Sequence, residues 1–474
     1  MGNRNKFSVD ISTKNGGVSG NCTLISVHSP FYNVNFLVDC GLYQGEEDSE
    51  KKNRDPFEFN PEKLQFVLLT HNHMDHVGRI PLLYKKYYSG KIYTTEDTKK
   101  MMPLALISSE DIIRKYAKDY SKKAIYKYSD VERAISNTQA CAFNETVEPY
   151  PGIRATFFKN GHLIGAGIIL VQISCYGYED INLLFVGDYK GNNIFFDVPE
   201  LPEWVLNLPI HVIGESTYGD VDSSEISPKC CMKNVSQWLK DGIKKVVIFA
   251  HSQGRYQEVN YDLKLAQGKI IDPSIQIIND GNLGIKFTNL YKHASLNIKP
   301  EMQDFLPVNH TFIDSNQREY NMYSNAPKII VTTSGMASYG PAFEYISNLI
   351  DRKDVGFHFT SHLSTNSLGY KLMNSFKKTC KIGGVVKPKE ATILSTSEYT
   401  SHARRDELLK FYSQFTNLRS LLINHGEPDV KNEFAQYCEE RLNSSTSVAV
   451  LGNGYTIRVN ASGEDLKFIK EKEI

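Results

Sequence analysis

Three histidines and an aspartate fall within six residues, His71-Asn72-His73-Met74-Asp75-His76. They come just after the apolar run Phe66-Val67-Leu68-Leu69. Such a cluster has no use in a core, where every imidazole and carboxylate atom would need a partner. Nitrogen and oxygen donors at this density suit divalent metal ions, zinc first among them. At a strand end, side chains two residues apart point to one side, so His71 and His73 can grip one ion together. Asp75 and His76 follow in the turn that leads through Val77-Gly78-Arg79 towards a helix. They point elsewhere and can grip a second ion.

Three later residues complete the set. His162 lies in Gly161-His162-Leu163-Ile164-Gly165, Asp188 ends Leu183-Leu184-Phe185-Val186-Gly187-Asp188, and His425 ends Leu421-Leu422-Ile423-Asn424-His425. Singly, a histidine at a strand end is an ordinary hydrogen-bonding residue, and an aspartate after glycine is an ordinary turn or N-cap. Together with the cluster they supply ligands for two metals.

The elements that must position them read as follows. Thr23 to Val27 and Asn35 to Val38 are strands by alternation or apolar run, the second ending at Asp39-Cys40-Gly41. Ile80 to Tyr88 reads as helix, Lys91-Ile92-Tyr93 as strand, and Thr95 to Ser136 as charged helix. Ile153 to Phe158, Gly167 to Ile173 and Ile181 to Val186 return to strand. From about residue 205 helix-like segments alternate with short apolar strands: Val246 to Ala250, Ile275 to Ile278, Ile329 to Val331 and Val355 to Phe359. That alternation predicts a parallel, helix-covered sheet. Near Lys387-Pro388-Lys389 the first pattern resumes, with strands expected at Ala391 to Leu394 and Leu421 to Ile423.

The whole chain bounds the function. Its 474 residues exceed one ordinary core and suggest two or three domains. Lysine plus arginine and aspartate plus glutamate both number 54, so no global basic signature points to nucleic acid, although a local basic groove is compatible with that balance. The N-terminus lacks an apolar signal core and a myristoylation pattern, and no run reaches the length of a membrane span. The eight cysteines are scattered without a C-x-x-C pair and read as reduced thiols of a cytoplasmic protein.

These motifs, from about Phe7 to Val459, resemble the metallo-β-lactamase-fold hydrolases of the β-CASP branch, the RNA-processing nucleases. Asp39, in Leu37-Val38-Asp39-Cys40-Gly41, matches the first family motif and His71 to His76 the second. His162, Asp188 and His425 match the third, the fourth and the last. Glu215, in Gly214-Glu215-Ser216-Thr217-Tyr218-Gly219, matches the acidic motif of the branch, and His402, in Thr400-Ser401-His402-Ala403-Arg404, its histidine. Thr333-Ser334-Gly335-Met336 and Gly254-Arg255-Tyr256-Gln257-Glu258 are similar to further family signatures.

The resemblance implies an α/β protein: an αββα sandwich built from residues 1–205 and 388–474, with an inserted β-CASP domain at 206–387. It implies two Zn2+ ions, on ligands that also accept Mn2+ or Fe2+. His71, His73 and His162 would hold one ion, Asp75, His76 and His425 the other, with Asp188 bridging and Asp39 orienting. The implied chemistry is in-line attack of a metal-activated hydroxide on phosphorus, with Asp75, Asp39, Glu215 and His402 in the catalytic group. His402 would protonate the leaving oxygen and Glu215 would hold it charged. The chain departs from the family at Ser401, where a smaller residue is usual. It departs again at Thr360-Ser361-His362-Leu363, where the family carries a glycine-tyrosine pair.

A histidine at the last motif accompanies the family's RNA-processing members, so an endo- or 5′-exoribonuclease is expected, with RNA as partner. Substrate contacts are expected at Arg255, Ser361, His362 and Arg404, with Tyr256 and Arg405 nearby in sequence. With no appended RNA-binding domain expected after Ile474, the substrate would bind between the domains or through a partner. A homodimer stays open, and no protein partner is indicated. Three other readings compete: a hydrolase of a small phosphodiester or ester, a DNA-directed nuclease, and a scaffold with a decayed site. The filled ligand positions speak against the last.

Overall fold

The computed structural model describes residues 7–14, 17–45, 48–225, 230–293, 296–361, 363–452, 454–461 and 466–470. The chain divides into two compact units, one of residues 1–44, 48–224 and 402–474, the other of 45–47 and 225–401.

Among the described residues, the first unit is built on two sheets. The eight-stranded sheet runs Lys467–Lys470, Tyr455–Asn460, Ser8–Thr13, Thr23–His28, Asn33–Val38, Leu64–Leu68, Lys91–Thr95, Thr138–Cys141. The seven-stranded sheet runs Ser447–Val450, Leu418–His425, Ile210–Glu215, Ile181–Phe185, Gly167–Ile173, Ile153–Lys159, Thr146–Tyr150. Period-two alternation sorts their side chains. Phe36 and Leu68 join Phe157, Val171 and Leu183 in the core between the sheets. Leu37, Val67 and Leu69 point the other way, onto Leu83, Met102, Leu106 and Val131 of the covering helices. On the second sheet Leu184 and Leu421 face Leu408 and Phe411 of helix Arg405–Tyr412 and Phe434 of helix Pro428–Glu439. The result is the expected αββα sandwich. Each such buried side chain contributes roughly 1.5–3 kcal/mol. The long helical stretch expected from Thr95 to Ser136 is two helices, Glu96–Asp119 and Tyr128–Ser136, separated where Ser121 turns left-handed at φ 51.

The second unit holds an all-parallel sheet in the order His310–Phe312, Gln276–Asn279, Lys328–Thr332, Lys245–Phe249, Val355–Phe359, Thr392–Ser395. Val247 and Phe249 pack on one face with Tyr345 and Ile346 of helix Gly340–Leu349. Val246 and Ile248 pack on the other with Val235 and Val259 of helices Cys230–Lys240 and Arg255–Ala266.

Two strands lie elsewhere than the sequence suggests. The one expected at Ala391 to Leu394 does not return to the sandwich. It is Thr392–Ser395, paired parallel with Val355–Phe359 through Phe357↔Ile393 at the edge of the second unit's sheet. Ile210–Glu215, beyond the expected boundary at 205, belongs to the first unit, between Ile181–Phe185 and Leu418–His425. No helix among the described residues is long and apolar enough to cross a membrane. The eight cysteines are free thiols.

Candidate metal centre

The centre is assembled at strand ends of the first unit. Strand Asn33–Val38 delivers Asp39 in a left-handed conformation, φ 61, that a residue with a side chain adopts only under constraint. The constraint is visible. Asp39 Oδ1 accepts from the Thr70 amide at 2.8 Å, and Oδ2 accepts from the Thr70 hydroxyl at 2.8 Å. His76 Nδ1 lies 2.7 Å from Oδ2 and donates to it. The Thr70 hydroxyl, having donated to Asp39, accepts from His71 Nδ1 at 3.0 Å. Both imidazoles thereby carry their proton on Nδ1 and turn the Nε2 lone pair inward.

The following loop locks the ligand turn. Cys40 N–H donates to the His76 carbonyl and Leu42 N–H to that of Met74, both at 2.7 Å. Between them Gly41 leaves no room for a side chain, since a Cβ there would stand 1.6 Å from the Asp75 carbonyl oxygen. Gly187, at φ 63, makes the matching turn before Asp188, and its missing Cβ would lie 3.1 Å from Thr70. Asn160 ties the other two loops together. Its Nδ2 donates to the carbonyls of Val186 and Asp188, and its Oδ1 accepts from the His162 amide at 3.0 Å.

Two ligand groups result. The donor atoms of His71, His73, His162 and Asp188 lie within 4.8 Å of one another, as do those of Asp75, His76, Asp188 and His425. Asp188 stands in both. Its Oδ2 is 3.6 Å from His71 Nε2 and 3.5 Å from His162 Nε2, while Oδ1 is 3.2 Å from His76 Nε2 and 3.4 Å from His425 Nδ1. His425 Nε2 faces the Val18 carbonyl at 3.1 Å, which leaves Nδ1, beside the Thr217 hydroxyl at 3.0 Å, as its acceptor. His73 Nδ1 and His162 Nε2 stand 3.0 Å apart, a spacing that a shared proton or a cation allows and two lone pairs do not.

This arrangement fits divalent metal. His71 Nε2, His76 Nε2 and Asp188 Oδ1 are buried and make no hydrogen bond of sound geometry among the described residues. Each such atom costs about 1–3 kcal/mol unless something satisfies it, and lone pairs facing lone pairs call for a cation. The electrostatics agree. Burial would depress His76, yet the carboxylates of Asp188, Asp39 and Asp75 outweigh it and raise its pKa well above the usual value. Burial and the neighbouring histidines hold His71 well below its usual value. Burial opposes ionisation of Asp75, but His76 and His425 bring it down to about 2. A field that holds protons on imidazole also holds cations.

Glu215 and His402 stand beside this centre. His402 Nδ1 lies 3.0 and 3.1 Å from the two Glu215 oxygens, and its Nε2 points to Asp188 Oδ2 at 3.8 Å. Glu215 also accepts from the amides of Tyr189 and Thr217, so its fully buried carboxylate is held from three sides. Burial opposes charge on His402, but Glu215 and Asp188 outweigh it and raise its pKa to about 9.

The expected substrate contacts are described each within its own unit. Arg404 is buried, with its guanidinium 5.8 Å from the Tyr218 ring. Arg255, in the second unit, is buried, pairs with Glu258 at 2.8 Å and lies over Tyr399. The Ser361 hydroxyl, also in the second unit, is buried without a hydrogen-bond partner among the described residues. His362 lies outside the described residues. Conversely, Thr70, Asn160 and Thr217 orient the ligands and were not anticipated. Single polar residues at strand ends carry no signal of type or spacing.

Residues 15–137 match the model of the metallo-β-lactamase superfamily, 256–372 that of the β-CASP domain, and 388–449 that of the Zn-dependent metallo-hydrolase RNA specificity domain. The chain belongs to the β-CASP branch of the metallo-β-lactamase-fold, metal-dependent hydrolases. It is 26% identical to ribonuclease TTHA0252 of Thermus thermophilus, over 83% of this chain and 88% of that one. It is 25% identical to the transcription termination factor FttA of Methanosarcina mazei, over 89% of this chain and 68% of the relative. The FttA of Methanococcus maripaludis is 28% identical over 82% of this chain and 63% of its own length. The chain thus spans about two thirds of the FttA relatives.

Proposed function

We propose that this chain is a zinc-dependent ribonuclease that hydrolyses RNA phosphodiester bonds at a two-metal centre, internally or from the 5′ end. In this reading His71, His73 and His162 hold one ion, Asp75, His76 and His425 the other, and Asp188 serves both. The observation that carries it is the division of the Asp188 carboxylate, one oxygen towards each histidine group. When bound, such ions polarise a phosphoryl oxygen and acidify water.

The chain's own residues do the rest. Asp39 and Thr70 keep His76 and His71 in the tautomer that presents Nε2. Glu215 accepts from His402 Nδ1 and favours the imidazolium, so His402 carries its second proton at neutral pH. From Nε2 it hands that proton to the departing 3′-oxygen, as a general acid worth roughly 10²–10⁴ in rate. Of the expected substrate contacts, the proposal retains Ser361, whose hydroxyl has a hydrogen bond to give.

RNA as substrate is supported by the description of the third family model, by the ribonuclease among the relatives and by a histidine at position 425. The free thiols fit a cytoplasmic setting. The test is to incubate the protein with end-labelled RNA and the matching DNA, with and without chelator, and to count bound metal by elemental analysis. The proposal expects RNA cleavage that chelator abolishes and two zinc ions per chain. Cleavage indifferent to chelator, or turnover of a small phosphodiester with intact RNA, would overturn it.

A further inference from the structure

The second unit carries an exposed hairpin that the metal centre does not use. Thr379–Ile382 and Val385–Pro388 pair antiparallel through Gly383-Gly384, at φ 57 and 87, the backbone of a type I′ turn. One side is anchored. Ile382 is 4% exposed and packs in the core with Leu372 and Ala391. Lys387 Nζ donates to the Ser347 carbonyl at 2.7 Å, and Lys389 Nζ donates to the carbonyls of Leu372 and Ser375.

The other side has no such use. Lys381, cross-strand from the exposed Val386, and the preceding Lys377 and Lys378 all reach solvent. Among the described residues none of these three lysines makes an ion pair. Phe376 beside them is fully exposed. Residues 376–389 hold five lysines and no carboxylate, in a chain whose formal net charge is zero. Exposed lysines alone are ordinary solvation. The fully exposed Phe376 ring adds an apolar face in water that gains free energy when another flat group stacks on it. Point cations next to a free ring suit a strand of phosphates with unstacked bases, the first neutralising and the second stacking.

We propose that this hairpin docks single-stranded RNA, with Lys377, Lys378 and Lys381 on phosphates and Phe376 on a base. This rests on the ribonuclease reading and extends it to a second contact. The test is fluorescence anisotropy of a labelled oligouridylate with the full chain in chelator, so that nothing is cut, across a range of salt. Replacing the three lysines by alanine lowers the slope of log affinity against log salt by about 2, at about 0.7 per phosphate on a single strand. The Lys377→Arg, Lys378→Arg, Lys381→Arg variant keeps the slope. Phe376→Ala weakens binding about 5- to 100-fold at unchanged slope. A wild type that binds no RNA sinks the ribonuclease reading. A wild type that binds RNA while the alanine variant matches it in affinity and slope sinks the hairpin alone. So does loss of binding to anionic vesicles in that variant with RNA binding intact.

Discussion

His402 Nδ1 stands 3.0 and 3.1 Å from the two carboxylate oxygens of Glu215, and Glu215 takes two backbone amides besides. The ring is therefore aimed by a group that is itself immobile. Glu215→Gln weakens that aim and removes the charge that favours imidazolium. We expect kcat on RNA to fall roughly 10²–10⁴-fold, as when general acid help is lost, and His402→Ala to do the same. Elemental analysis should find metal content unchanged in both. Loss of metal from either variant would assign these residues to the ligand set instead.

Asp188 serves both ligand groups, whereas Asp75 belongs to one. Asp188→Ala should therefore lose both ions and Asp75→Ala only one. Metal-to-protein ratios after exhaustive dialysis distinguish the cases. Equal ratios in the two variants would contradict a shared carboxylate.

Gly41 is the tightest approach in the ligand turn, with no space before the Asp75 carbonyl. Gly41→Ala must push Asp75 and His76 away from Asp39. A loss of about 1–3 kcal/mol in urea-unfolding stability is expected, as for an overpacked core, together with weaker metal retention. A variant as stable and as well loaded as the wild type would mean the loop has slack.

Stability should fall in mild acid through His358. It is fully buried with Asn234 Nδ2 3.3 Å from its Nε2, and burial brings its pKa from 6.5 down to about 4. The unfolded chain takes up the proton first. Stability is thus flat above about 6.5 and drops as pH falls towards 4, by about 3 kcal/mol in all. Trp238, whose ring centroid is 5.7 Å from that of His358, reports on this region. With Trp204 changed to Phe, the urea midpoint of Trp238 fluorescence should fall between pH 7 and pH 5. His358→Gln should make that fall smaller; an identical fall would remove His358 from the account.

The candidate ligands were legible as a group because their chemistry is poor company for a core. His71 to His76 follow a plain apolar strand, and His162, Asp188 and His425 each close another. The residues that aim them were not. Thr70 and Asn160 are common residue types, and only the fold brings Thr70 to Asp39 or Asn160 to the Asp188 carbonyl. The strand at Thr392–Ser395 shows a different limit. Four half-apolar residues read alike in either sheet, and the partner strand decides. At Arg255 the visible clue was Glu258, three residues on and able to pair with it along a helix.

The place of Leu418–His425 between Ile210–Glu215 and Ser447–Val450 also has a consequence for synthesis. On the ribosome, Asp188 emerges before the second unit, and His402 and His425 only after it. A growing polypeptide therefore holds neither the proposed proton donor nor a complete second group of candidate ligands. Whatever this protein cuts is safe from it until translation has passed residue 425.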